Sequence, residues 1–294
     1  MANIPRFVSS LKTISKYFSD TGRSAFSEKE INEIFESKRV AWNLPISMNI
    51  DRFTKQLISR LNFEEHEFNF PIMSTRKVYA TEAAPAMDIV SSIFEKGYLS
   101  HYSAISVLGL TEQIPKTIYL TLEQSKKNVT KPSNLTQDAI DAAFGKEQRI
   151  SESKINFREY EVFLLKGKNT SNLGVRFLGA SHNVRVTDIE RTLIDAAVRP
   201  GYSGGIAEVQ KAYYQAMEAD NMSINKLIGY LTKMGFIYPY HQAIGFYLER
   251  TGLYKEAQLQ KLKDIPKPFN FYLAYNMKEM GYSVEWKIFY PKGF

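Results

Sequence analysis

Between residues 49 and 60 the chain sets hydrogen-bond donors at a spacing suited to reading nucleic acid. Arg52, Lys55, Gln56 and Ser59 stand at i, i+3, i+4 and i+7, one face of a helix, and Arg60 borders that face. Arginine suits the guanine edge, glutamine the adenine edge, and lysine and serine the phosphate oxygens. Asn49, just ahead of the run, is a helix N-cap residue that would also turn donors toward a phosphate. Further on, Ser74-Thr75-Arg76-Lys77 forms a polar stretch expected as a hairpin tip, with Arg76 and Lys77 reaching the DNA backbone or minor groove. A solvated helix face would use the same residue types, so the order of the surrounding elements has to decide.

Residues for covalent or metal chemistry are scarce. The chain has no cysteine, which removes disulfides, thiolate nucleophiles and thiolate metal sites. Its histidines, His66, His101, His182 and His241, show no helical metal-ligand spacing. Ser100-His101 and Ser181-His182 are adjacent pairs, and adjacent side chains face apart on a helix or strand, so neither is expected to work as nucleophile and base. Glu159, Glu161 and Lys166 beside a strand-like run resemble the acid–lysine sets of some nucleases, but charges at a strand margin are far commoner. Gly201-Tyr202-Ser203-Gly204-Gly205 before a helix could cradle an anion, yet lacks the Gly-Lys-Ser/Thr ending of a P-loop. A nucleotidyltransferase would show a Gly-Ser followed by paired aspartates, and none is present. No catalytic residue, metal or cofactor is expected.

The elements that must carry the donor face follow from periodicity. Phe7, Leu11, Ile14 and Phe18 predict a helix over 7–19. Ser27 and Glu30 form a capping-box pattern opening a second helix to about Trp42. Ile50, Phe53, Leu57 and Leu61 give the third helix its apolar stripe. An extended pattern over 67–80, led by Phe68, Phe70 and Ile72, predicts a hairpin. Three helices and a hairpin are the order of a winged helix-turn-helix, whose second paired helix enters the major groove. Beyond Pro85 the pattern predicts short helices at 86–96 and 100–109, a strand at 117–122 and a loop at 124–137. Strands at 160–165, 174–179 and 184–187 follow, then four helices over 188–263 and strands at 269–275 and 282–290. Thr187-x-x-Glu190 reads as a second capping box, and Arg191 and Asp195 are four apart and able to pair.

The 294 residues suit about two domains, and 44% hydrophobic composition supports real cores. The fold class expected is α+β: a winged helix-turn-helix domain at 1–82 and a larger mixed α/β domain at 83–294. The net charge is +7 and the sequence pI about 9.2, which favours an acidic partner. Residues 1–80 hold 12 Lys/Arg against 9 Asp/Glu, and residues 251–294 hold 7 against 4, so the excess lies toward the two ends. Lys255, Lys261, Lys263 and Lys267 precede Phe269, Phe271, Tyr272, Tyr275, Tyr282, Trp286, Phe289 and Tyr290. This could be a nucleic-acid platform, but a packed sheet with a wet lysine face is the favoured reading. No apolar run approaches the roughly 18 residues of a membrane span, and the start lacks a signal-peptide pattern. A cytoplasmic location without membrane contact is expected.

Two stretches resemble a known family. One is Gly97-Tyr98-Leu99-Ser100-His101-Tyr102-Ser103-Ala104-Ile105, leading to Leu108-Gly109-Leu110-Thr111. The other is Val186-Thr187-Asp188-Ile189-Glu190-Arg191-Thr192-Leu193-Ile194-Asp195, with Arg199-Pro200 and Gly204-Gly205. Together they resemble the AbiEi antitoxins of type IV toxin–antitoxin (abortive infection) systems. The resemblance implies a transcriptional autorepressor whose winged helix binds repeats in its own double-stranded promoter DNA. It implies a C-terminal antitoxin domain that counters a nucleotidyltransferase-like toxin without a stable complex, and it leaves a homodimer on DNA open. The DNA-contacting role would fall on residues 49–60 and 74–77. The segment beyond about 250 does not match the family. The alternative is a winged-helix regulator whose C-terminal domain senses a ligand or protein partner, and a nucleic-acid enzyme is the remote third.

Overall fold

A computed structural model of the chain describes residues 6–71, 73–126, 134–179 and 184–294. In chain order the elements begin with α1 (Arg6–Asp20), β1 (Ala25–Ser27), α2 (Glu28–Lys38), α3 (Ile50–Leu61), β2 (Phe63–Phe68), β3 (Arg76–Thr81) and α4 (Ala86–Ser91). Then come β4 (Tyr98–Leu99), α5 (His101–Val107), β5 (Thr117–Glu123), α6 (Gln137–Phe144), β6 (Lys154–Phe157), β7 (Tyr160–Gly167), β8 (Val175–Leu178) and β9 (Val184–Thr187). The remainder is α7 (Ile189–Val198), α8 (Ile206–Glu218), α9 (Ile224–Met234), α10 (Tyr240–Thr251), α11 (Glu256–Lys263), β10 (Phe271–Tyr272), β11 (Met280–Ser283) and β12 (Ile288–Pro291). The fold is mixed helix and sheet, as an α+β class requires. Among the described residues no helix is long and apolar enough to cross a membrane.

The chain forms two compact units: Met1–Gly97 with Ser153–Val162 and Phe177–Arg185, and Tyr98–Glu152 with Phe163–Arg176 and Val186–Phe294. The boundary expected at 82/83 falls inside the first unit, because α4 and the chain after it pack with the N-terminal core.

In the first unit the apolar stripes do what their spacing dictates. Phe7, Ile14 and Phe18 of α1, Ile31 and Phe35 of α2, and Phe53 and Leu57 of α3 are buried in one cluster. The Phe53 ring lies 5.1 Å from Phe35 and 5.9 Å from Trp42. The Ser27–Glu30 capping box forms in full and opens α2. That helix stops at Lys38, earlier than expected, and Trp42 is buried from the turn that follows. The sheet runs β1-β3-β2, all antiparallel. The hairpin begins earlier than expected, at Phe63 rather than 67, and ends at Thr81. Phe68 pairs with Arg76 and Glu67 with Lys77, so Arg76 and Lys77 sit in β3 rather than at the tip. Ile72 lies outside the described residues.

In the second unit β4 joins β5 antiparallel and β9 parallel. Helices α7, α8 and α10 bury Leu193, Ile194, Val209, Tyr213, Ile244 and Tyr247 in one core. The same core takes in Phe271, Trp286 and Ile288 from the last strands. Gly245 is required on α10: a Cβ there would meet the Trp286 ring at 2.1 Å, nearer than any van der Waals contact. Gln242, fully buried one turn earlier, donates from Nε2 to the carbonyls of Phe269, Trp286 and Lys287. The region 188–263 holds five helices where four were expected, and the expected strand 282–290 is two strands, β11 and β12. Helix α6 and strands β1 and β6 were not anticipated.

Candidate nucleic-acid interface

Helix α3 is built from both ends. The Asn49 side chain accepts from the Arg52 backbone N–H at 3.0 Å, a cap that contributes about 1 kcal/mol. At the other end Asn62 adopts φ 54°, a left-handed residue that an Asn tolerates. With Phe53 and Leu57 held in the core, the opposite face is set. Asn49, Arg52, Lys55, Ser59 and Arg60 are exposed, and Gln56 is half-buried. Among the described residues the Arg52 guanidinium donates to the Ser47 carbonyl at 3.3 Å and forms no ion pair. Lys55 and Arg60 form no ion pair among the described residues.

The hairpin is less basic than its sequence suggests. The Lys77 ammonium lies 2.7 Å from Glu65 and 3.1 Å from Glu67. Those hydrogen bonds hold its pKa well above the ordinary lysine range. Arg76 is exposed and stands 5.6 Å over the Phe94 ring. Glu64, Glu65 and Glu67 give the outer strand an acidic edge.

The two resembling stretches come together in the second unit, where β4 pairs with β9 at Leu99 and Val186. Arg191 is the hub. Its Nε donates to both Asp195 oxygens at 2.9 and 3.0 Å, Nη1 to Thr170 Oγ1 and the Leu173 carbonyl, and Nη2 to the Tyr98 hydroxyl at 3.3 Å. Glu123 stands 3.9 Å away. Burial pushes the Asp195 carboxyl up, against the pull of Arg191. Gly174, at φ +74°, brings its loop against α7: a Cβ there would lie 2.8 Å from Arg191 Cβ. The expected Thr187–Glu190 capping box does not form. Asp188 caps α7, accepting from the Arg191 N–H at 3.0 Å. Thr187 instead meets Thr192 at 2.7 Å, and Glu190 accepts from the Ser223 N–H and from Lys226. Asp188 wins because its carboxylate is one residue nearer the first turn. Glu123, Tyr98 and Thr170 carry no local signal, since they reach Arg191 from distant strands and loops.

Ser100 and His101 do touch, contrary to the rule for adjacent residues. His101 has φ 52°, which swings its ring back so that Nδ1 lies 2.8 Å from Ser100 Oγ. Ser100 is wholly buried, and its hydroxyl also lies 2.6 Å from Thr121 Oγ1. The Ser181-His182 pair lies outside the described residues. Among the described residues no three His, Asp or Glu converge to hold a metal. Glu161 is paired with Lys154 at 2.6 Å, away from any acid–lysine set with Lys166. At the start of α8, Gly204 and Gly205 take φ 79° and 86°, as the glycine-rich spacing allows. Trp286 and Phe271 are buried and serve packing, Tyr282 is exposed, and Lys263 is within 4 Å of Glu249, Glu256 and Glu285.

No family model matches the chain, and no curated protein does. Among solved structures it is similar to the RV2827C protein from Mycobacterium tuberculosis, at 14% identity and a TM-score of 0.51. The likeness covers 98% of this chain and 92% of that one. At such identity it concerns the fold alone.

Proposed function

We propose that the protein is a DNA-binding transcriptional autorepressor and antitoxin of the AbiEi kind, acting in the cytoplasm by binding rather than catalysis. The observation that carries the DNA reading is the exposed donor row of α3 on a helix–strand–helix–helix–hairpin frame, with strands ordered β1-β3-β2. In this reading the first unit is a winged helix-turn-helix. Helix α3 enters the major groove, Arg52 and Gln56 face base edges, and Lys55, Ser59 and Arg60 hold phosphates. The hairpin is the wing and contributes through Arg76, because Lys77 is neutralised by two glutamates. The antitoxin half of the reading is supported by the resemblance of residues 97–111 and 186–205. Its toxin would be a nucleotidyltransferase-like protein encoded beside it.

The test is fluorescence anisotropy with the operon's own promoter DNA over a salt series. Arg52→Ala with Lys55→Ala should weaken binding and flatten the slope of log K against log salt by about 0.9, the one phosphate contact that Lys55 makes in this reading. Lys77→Ala should leave the slope unchanged. An unaltered slope in the double variant overturns the DNA interface. Co-expression with the neighbouring toxin should give growth rescue by the wild type and by the double variant alike, and failure of the wild type to rescue overturns the antitoxin half.

A further inference from the structure

A cavity of about 140 Å³ opens in the second unit beside the Arg191 hub. Its polar lining is dominated by cations: Lys166, Lys168, Arg191 and Arg199, against Asp195 as the acid among them. Asp195 is spent on Arg191. Lys168 donates to the Met234 and Gly235 carbonyls at 2.5 and 2.7 Å, and no carboxylate stands within ion-pair distance of it among the described residues. Lys166 and Arg199, both exposed, also lack a carboxylate partner among the described residues. Burial already presses the Lys168 ammonium below its ordinary range, the mark of a charge without a counterion. His101 lines the same cavity and is 8% exposed. Its Nδ1 is taken by Ser100 Oγ, which lies 2.6 Å from Thr121 Oγ1. With the hydroxyls donating from Thr121 to Ser100 to His101, Nε2 carries the proton and is the ring's free donor. A left-handed histidine at such a place is backbone strain held by its surroundings, the kind that gathers at ligand sites.

We propose that this cavity binds a phosphate group, free or carried by a nucleotide, gripped by Lys166, Lys168 and Arg199 with His101 Nε2 as a neutral donor. The cavity is smaller than the roughly 300 Å³ at which drug-sized pockets begin, so it encloses the phosphate and leaves the rest of a ligand outside. Three cations without acid partners suit a dianion better than a carboxylate. The site is independent of DNA binding by α3, and it gives the ligand-sensing alternative a chemical class.

The experiment is isothermal titration of the full chain with inorganic phosphate and, separately, with ATP, at ionic strength held constant with chloride. Saturable binding with Kd near or below about 1 mM is expected for one or both. Lys166→Gln with Arg199→Gln changes exposed side chains, and should keep the wild-type thermal midpoint while weakening binding at least about tenfold. Equal affinity for phosphate and ATP identifies free phosphate as the sufficient ligand, and markedly tighter ATP identifies a nucleotide. Arg52→Ala with Lys55→Ala should bind the ligand as the wild type does even where it loses DNA. Absence of saturation by either ligand, undiminished binding in the Lys166/Arg199 variant, or loss of binding in the α3 variant each overturns the proposal.

Discussion

His101 shows how one residue can be costly and retained. It is buried, left-handed and neutral, and burial draws its pKa down to about 3. His241 on α10 moves the same way, to about 4. An unfolded histidine titrates near 6.5. Between those values the unfolded chain binds protons that the folded chain refuses, so this stability is complete above about pH 6.5 and is lost as pH falls toward 3 or 4. The wild-type thermal midpoint should drop between about pH 7 and pH 4.5. His101→Asn, which keeps a residue tolerant of positive φ, should drop less over the same interval. Parallel curves would remove His101 from the account. The burial of His101 was beyond sequence reasoning, because it depends on strands and helices that approach from far along the chain.

At the scale of elements, local rules were legible and pairing rules were not. The Ser27–Glu30 box and the Asn49 cap operate within four residues, and both form where the sequence predicts them. The hairpin register slipped, because the alternation of Phe68, Phe70 and Ile72 masked a strand whose buried ends are Phe63 and Phe68. The acidic residues between those phenylalanines face outward and read as loop. The Thr187–Glu190 pattern matched a capping box, but two candidate caps stood side by side and the aspartate took the helix. The Gly245 contact with Trp286 carries no sequence signal, since 40 residues intervene. Gly245→Ala should lower stability by about 1–3 kcal/mol through overpacking, measured by urea denaturation. A neutral result would mean that the indole shifts freely.

At the scale of the whole molecule, the α+β class follows from the periodic pattern of helices and strands and the presence of more than one core from length, whereas the division of the chain follows from neither. Residues 153–162 and 177–185 return to the first unit, and no composition shift announces it. Of the C-terminal aromatics Phe271 and Trp286 are buried, whereas Tyr282 is exposed and Lys255 and Lys261 stay on the surface. Leu259, Leu262, Phe271, Leu273, Trp286 and Ile288 all enter the second core. At about 1.5–3 kcal/mol for each buried side chain, their removal would cost about 9–18 kcal/mol. A domain's whole stability is about 5–15 kcal/mol. Deleting residues 251–294 should therefore abolish the cooperative unfolding of the second unit in calorimetry. Survival of both transitions would show the segment to be an accessory.

That same dependence sets a timetable. The first core draws its buried side chains from Phe7 to Tyr79, while the second cannot close before Ile288 has been made. At synthesis rates of about 5–20 residues per second, roughly 10–40 s separate the two events. For that interval the ribosome carries the cluster that joins α1, α2 and α3 already closed, while the apolar helices of the second unit still wait for their last strands.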